Sequence, residues 1–130
     1  MNIGPFSIEK QFVVMSPDKS ASIEALDSSL YQRLNDNYAG FKGHELICCY
    51  EFNKDWGNWE IHPKGDEIVV LLSGNAEFVI ELETEQRSVT LENMGDYAII
   101  PKKTWYTIRT QTKTKILFIS PCEGTESKKS

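Results

Sequence analysis

From residue 44 onward, short apolar-rich runs alternate with polar breaks. The runs fall at 45–52, 59–62, 67–72, 76–82, 88–91, 97–100, 105–109 and 115–120. Turn-forming clusters separate them: Asn53-Lys54-Asp55, Pro63-Lys64-Gly65-Asp66, Ser73-Gly74-Asn75 and Asn93-Met94-Gly95. Many short strands at this spacing predict a sandwich, barrel or jelly roll. Ile68 to Leu72 is apolar at every position, so both faces of that strand are expected to be buried. One face fills the barrel. The other needs a cover, either an N-terminal helix or a second subunit, and a homodimer through this sheet is therefore expected.

The first 43 residues read differently. Phe12 to Met15 forms a short apolar patch that suits a strand, and Ser16-Pro17-Asp18 reads as a turn. Ser20 or Ser22 can then cap a helix, with Ile23, Leu26, Leu30 and Leu34 at helical spacing on one face. Asn35-Asp36-Asn37 and Gly40 stop it. The helix is expected to pack outside the barrel. This divides a single domain into an arm and helix (1–43), a barrel (44–122) and a polar, flexible tail (123–130).

Composition narrows the partners. At 130 residues and a formal charge of −5, the chain lacks the basic footprint of a nucleic-acid binder. No apolar run is long enough to cross a bilayer, and the start lacks a basic region leading into an apolar one. A cytoplasmic protein with no membrane partner is expected. Cys48, Cys49 and Cys122 have no metal-ligand or dithiol spacing, and adjacent strand residues face opposite ways. They read as reduced, buried thiols.

One constellation carries chemistry. Glu60 and His62 are two apart on a strand, so their side chains leave the same face. Pro63 keeps His62 extended and helps end the strand. The turn through Asp66 leads Glu67 back beside them. Three polar side chains thus converge inside the barrel.

The stretch resembles the first motif of the cupins, in which two histidines one residue apart precede a glutamate and then a glycine. Here Glu60-x-His62 is followed after four residues by Glu67, and after six more by Gly74. The family's second motif is matched by Gly95 and Pro101, while Lys103 stands at its second glycine, Tyr106 at its histidine and Thr110 at its asparagine. The resemblance covers roughly 46–121. It implies an all-β double-stranded β-helix (jelly-roll barrel), with the N-terminal helix packed outside.

It also implies a metal site at Glu60, His62, Glu67 and Tyr106. Two carboxylates and an imidazole suit manganese, iron or zinc. A neutral phenol at Tyr106 is a poor ligand, because its reference pKa lies near ~10. The competing reading is a metal-free, hydrogen-bonded polar cluster. Trp56, Trp59 and Trp105 read as packing, with Trp59 and Trp105 turned away from the ligand positions. His44 reads as a surface residue and Asp66 as a turn residue. Lys103 is placed to touch an anionic ligand near the mouth. Three functions stay open: a small-molecule-binding barrel with or without a divalent ion, a metal-dependent oxygenase or isomerase, and a metal-free isomerase or epimerase using His62 and Tyr106 as acid–base pair. Binding is preferred, because the family's second-motif histidine is replaced.

Overall fold

The computed structural model describes residues 2–130. Its strands are β1 (Gln11–Met15), β2 (Ala21–Ala25), β3 (Glu45–Phe52), β4 (Asn58–Ile61), β5 (Glu67–Ser73), β6 (Ala76–Glu81), β7 (Gln86–Leu91), β8 (Tyr97–Ile100), β9 (Trp105–Arg109), β10 (Thr114–Ser120) and β11 (Glu126–Lys129). One helix, α1 (Leu30–Asn37), and a 3-10 turn (Ala39–Phe41) lie between β2 and β3. No helix among the described residues is long and apolar enough to cross a membrane.

The strands form two antiparallel sheets, ordered β2-β1-β3-β10-β5-β8 and β11-β4-β9-β6-β7. Alternation along each strand sends one set of side chains between the sheets. Val69 and Leu71 of β5, Phe78 of β6, Ile108 of β9, and Ile116 and Phe118 of β10 meet there, nearly all fully buried. Each such side chain contributes about 1.5–3 kcal/mol of hydrophobic stabilisation. Gly74 turns the chain between β5 and β6 at φ +86°, where a Cβ would lie 2.4 Å from the Lys113 carbonyl oxygen. Only glycine fits that turn.

Two elements differ from the expectation. The helix does not begin at Ser20 or Ser22. Asp18 instead accepts bonds from the Ser20 backbone N–H (2.9 Å) and hydroxyl (2.6 Å), tightening a turn that returns the chain against β1. Five residue pairs, from Gln11↔Ala25 to Met15↔Ala21, then hold β2 as a strand. Pairing with a neighbour outweighs the weak helical preference of this segment. The helix starts only at Leu30, buries Leu30 and Leu34, and leaves Ile23 and Leu26 largely exposed.

The other is Glu126–Lys129, within the segment expected as a polar, flexible tail, which forms a strand. Glu126–Lys129 pairs antiparallel with β4, in register from Glu126↔Ile61 to Lys129↔Asn58. All four residues are exposed, so no apolar pattern marks them as a strand. Backbone pairing to an open sheet edge holds them. Lys128 Nζ lies 4.5 Å from the Trp105 ring centroid and 5.9 Å from that of Trp59, adding cation–π attraction.

The helix shares one core cluster with Phe12, Val14 and Leu46, so it closes the end of the barrel on the interior side of the larger sheet. It leaves the outer face of that sheet uncovered. There Ile68 and Val70 pair with Ile99 and Tyr97 on one side and with Ile119 and Leu117 on the other. Tyr97 and Ile99 are 64% and 55% exposed.

Candidate functional site

Glu60 stands on β4 directly opposite Tyr106 of β9. Two residues on, His62 leaves the end of β4 on the same face, and its carbonyl accepts from the Lys103 N–H (3.0 Å). Asp66 closes the turn by accepting from the Lys102 N–H (2.9 Å). That contact delivers Glu67 to the start of β5 with its side chain inward and 2% exposed. Lys103 holds φ +60°, a left-handed conformation natural to the glycine it replaces in the resembled motif.

His62 Nε2 lies 3.2 Å from Glu67 Oε2 and 4.0 Å from Glu60 Oε1. The nearer contact is off the hydrogen-bonding direction, so it is ionic rather than directional. Ser120 donates its hydroxyl to the same Glu67 oxygen, Oε2. On the far side of the ring, His62 Nδ1 is 2.7 Å from the Thr125 hydroxyl. Thr125 donates to the Cys122 carbonyl (3.2 Å), which leaves its oxygen to accept from Nδ1–H. The C-terminal segment therefore sets the ring, and Nε2 faces the carboxylates. Three buried polar atoms have no hydrogen-bond partner: His62 Nε2, Glu67 Oε1 and the Tyr106 hydroxyl. Such atoms are rare in a folded protein, where ordered water, an ion or a ligand commonly satisfies them.

The electrostatics follow from burial and crowding. Burial, then the Glu67 charge, raises the Glu60 carboxyl above its usual range. Burial pulls the His62 imidazole down, but Glu67 and Glu60 outweigh it and raise its pKa. Burial, then the two carboxylates, lifts the Tyr106 phenol well above 10. Cys122 is pushed up to about 12 by burial and the same carboxylates, and Cys48 is also raised. Neither thiol supplies a thiolate nucleophile.

Glu60, His62 and Glu67 open onto a cavity of about 670 Å³ between the sheets. Its walls are aromatic: Tyr50 and Phe52 of β3, Phe118 of β10, Trp56 from the loop before β4, and Tyr31 of α1. Trp56 and Phe118 stack with centroids 6.0 Å apart, and the Tyr31 and Tyr50 hydroxyls meet at 2.6 Å. Tyr106 lies beneath this lining, wholly buried, its ring 5.8 Å from that of Trp56. The exposed Lys103 side chain is not part of the lining. His44, expected at the surface, is half-buried against Phe41 and Tyr38. Trp59 and Trp105 turn away from the cavity, as alternation requires.

The implied metal is tested by these donors. Glu67 Oε1 has no hydrogen-bond partner, but Oε2 accepts from Ser120 and lies against His62 Nε2, and the fourth position holds a phenol that stays protonated. Among the described residues, no three His, Cys, Asp or Glu side chains stand close enough together to hold an ion. The set does not fit a divalent metal as the resembled motif does.

Reading the residues found Glu60, His62 and Glu67 but missed the cavity wall. Leu46, Cys48, Tyr50 and Phe52 share one strand face, a signal that was legible. Tyr31 and Thr125 gave none, because each arrives from an element distant in sequence.

No family model matches the chain, and no curated protein matches it in sequence. Among solved structures it is similar to a cupin-2 domain protein from Shewanella frigidimarina, with a TM-score of 0.49 and 21% identity over 59% of this chain and 70% of that one. It is similar to hydroquinone 1,2-dioxygenase from Sphingomonas sp. TTNP3 (TM-score 0.51, 17% identity, 58% of each chain). Oxalate decarboxylase from Bacillus subtilis, which has Mn(II) centres, matches with a TM-score of 0.53 at 14% identity, over 65% of this chain and 23% of that one. At these identities the likeness is one of fold.

Proposed function

We propose that this chain, which has the cupin fold, binds a small molecule in the cavity between its sheets. Glu60, His62 and Glu67 anchor the ligand's polar end, and the aromatic wall holds its body. The observation that carries this is the pair of orphaned atoms, His62 Nε2 and Glu67 Oε1, in buried side chains that line a 670 Å³ cavity. A ligand supplies their missing partners and displaces water from the aromatic wall.

Binding is favoured over turnover for a geometric reason. An acid–base pair of His62 and Tyr106 needs both groups at the substrate, and the Tyr106 hydroxyl is sealed beneath the lining. A metal-dependent oxygenase or isomerase needs an ion that these donors do not fit. The homodimer belongs to the same proposal: a second copy covers the apolar outer face carrying Tyr97 and Ile99, which α1 leaves open.

The test uses a neutral probe, 2-phenylethanol, followed by NMR. Shifts confined to Cys48, Tyr50, Trp56 and Phe118 are expected. Saturable shifts elsewhere, with none at these residues, refute a binding cavity.

A further inference from the structure

We propose that the ligand is an organic cation, an ammonium head seated at Glu60 and Glu67 with its body against Tyr50, Trp56 and Phe118. The inference rests on the cavity being a binding site, and it adds the ligand's charge.

The lining contains three carboxylates, Glu51, Glu60 and Glu67, and one imidazole, but no lysine or arginine. Glu51 is exposed and has its own partner, Lys113 Nζ at 3.8 Å. That leaves two carboxylates against one imidazole at the floor. With both carboxylates ionised and His62 protonated, the floor carries one net negative charge, and the raised Glu60 pKa reflects the cost of holding it without a partner. The chain carries 14 lysines and arginines against 19 aspartates and glutamates, and none of the 14 lines this cavity, so its carboxylates are locally uncompensated. A buried charge of this kind is costly without a partner.

The free acceptor defines the partner further. Of the protein groups near Glu67, the Ser120 hydroxyl and His62 Nε2 sit at Oε2, and the Tyr106 phenol lies buried beside the carboxylate without a hydrogen bond of good geometry. Oε1 of the same side chain, 2% exposed overall, accepts from nothing. On the cavity side it is met by a ligand donor and repels a ligand acceptor, and an ammonium has donors and no acceptor. The wall agrees with the floor, because aromatic faces attract cations through their quadrupoles. Five aromatic side chains line the cavity. A carboxylate ligand meets the opposite field at every one of these points. A bare divalent ion would use neither the wall nor most of the volume, and no three donors are gathered for it.

The experiment is calorimetric titration at neutral pH, with chelator present, of three probes sharing one body: 2-phenylethylammonium, 2-phenylethanol and phenylacetate. The ammonium is expected to bind at least about tenfold more tightly than the alcohol, with a charge-assisted bond added to cation–π attraction. Phenylacetate is expected to bind most weakly. In Glu60→Gln, whose side chain is partly solvent-accessible and tolerates the change, the ammonium's advantage should fall to about threefold or less while alcohol binding persists. Equal affinity for ammonium and alcohol, or a preference for phenylacetate, overturns the cation inference and leaves the cavity reading intact. Failure of all three probes removes both. A final arm omits chelator and adds Mn(II) or Zn(II): stoichiometric ion binding that expels the ammonium and recruits phenylacetate also overturns the inference.

Discussion

Thr125→Val removes the one hydroxyl that orients His62 while keeping the side chain's shape. The bond it breaks, Thr125 Oγ1 to His62 Nδ1, is 2.7 Å long. A net side-chain hydrogen bond is worth about 0.5–1.5 kcal/mol, and stranding a buried donor costs about 1–3 kcal/mol. His62 is 6% exposed, which points to the larger figure, but Thr125 itself is exposed. Water therefore reaches Nδ1 once the hydroxyl is gone, and the lower figure governs: about 1 kcal/mol. For a domain of this size that is roughly 3–5 °C in Tm. Urea denaturation measures the stability change, and nitrogen NMR of the His62 ring measures its tautomer and protonation. A structural loss alone moves the midpoint; loss of orientation also changes the ring-nitrogen shifts. Thr125→Ser should restore both. A valine variant with unchanged midpoint and ring shifts refutes the role given to the C-terminal segment.

Three further outcomes follow from other parts of the molecule. Lys103→Gly relieves a left-handed lysine (φ +60°) and should stabilise the fold by about 0.5–1 kcal/mol in urea denaturation; a loss of stability refutes the strain. The Tyr38 hydroxyl (2.7 Å) and Arg33 (2.9 Å) hold the Glu24 carboxyl below its usual pKa of 4.5. A depressed folded pKa gives stability that is fully present above the unfolded value and lost as pH falls through the folded one, so wild type and Glu24→Gln should differ at neutral pH and converge in acid. A constant gap across that window argues against it. Light scattering on the wild type should report a dimer, and Ile99→Glu a monomer of unchanged melting profile at low concentration; a monomeric wild type removes the homodimer.

Much of the barrel was legible because its signals are local. The eight strands from Glu45 to Ser120 follow alternation and turn residues, and their ends lie within two residues of those read from the sequence. Glu60 and His62 share a face by the two-residue period of a strand, and a four-residue turn brings Glu67 alongside, so three anchors of the site needed no distant information. The same locality explains the wrong start of the helix. Ile23, Leu26, Leu30 and Leu34 have helical spacing, yet β1 is already there to pair with Ala21–Ala25, and a sequence window does not contain that partner.

The amino-acid sequence by itself determined the eight strands from Glu45 to Ser120, the turns between them and the cluster of Glu60, His62 and Glu67. Tertiary structure decided what those residues face. Thr125 reaches His62 across 63 positions, and Tyr31 reaches Tyr50 across 19. It also decided that Tyr106 lies sealed under the cavity and that no lysine or arginine enters it. The physical reason is range: the period of a strand is written in adjacent residues, whereas the charge and the lining of a cavity are sums over segments that meet only when the chain has folded.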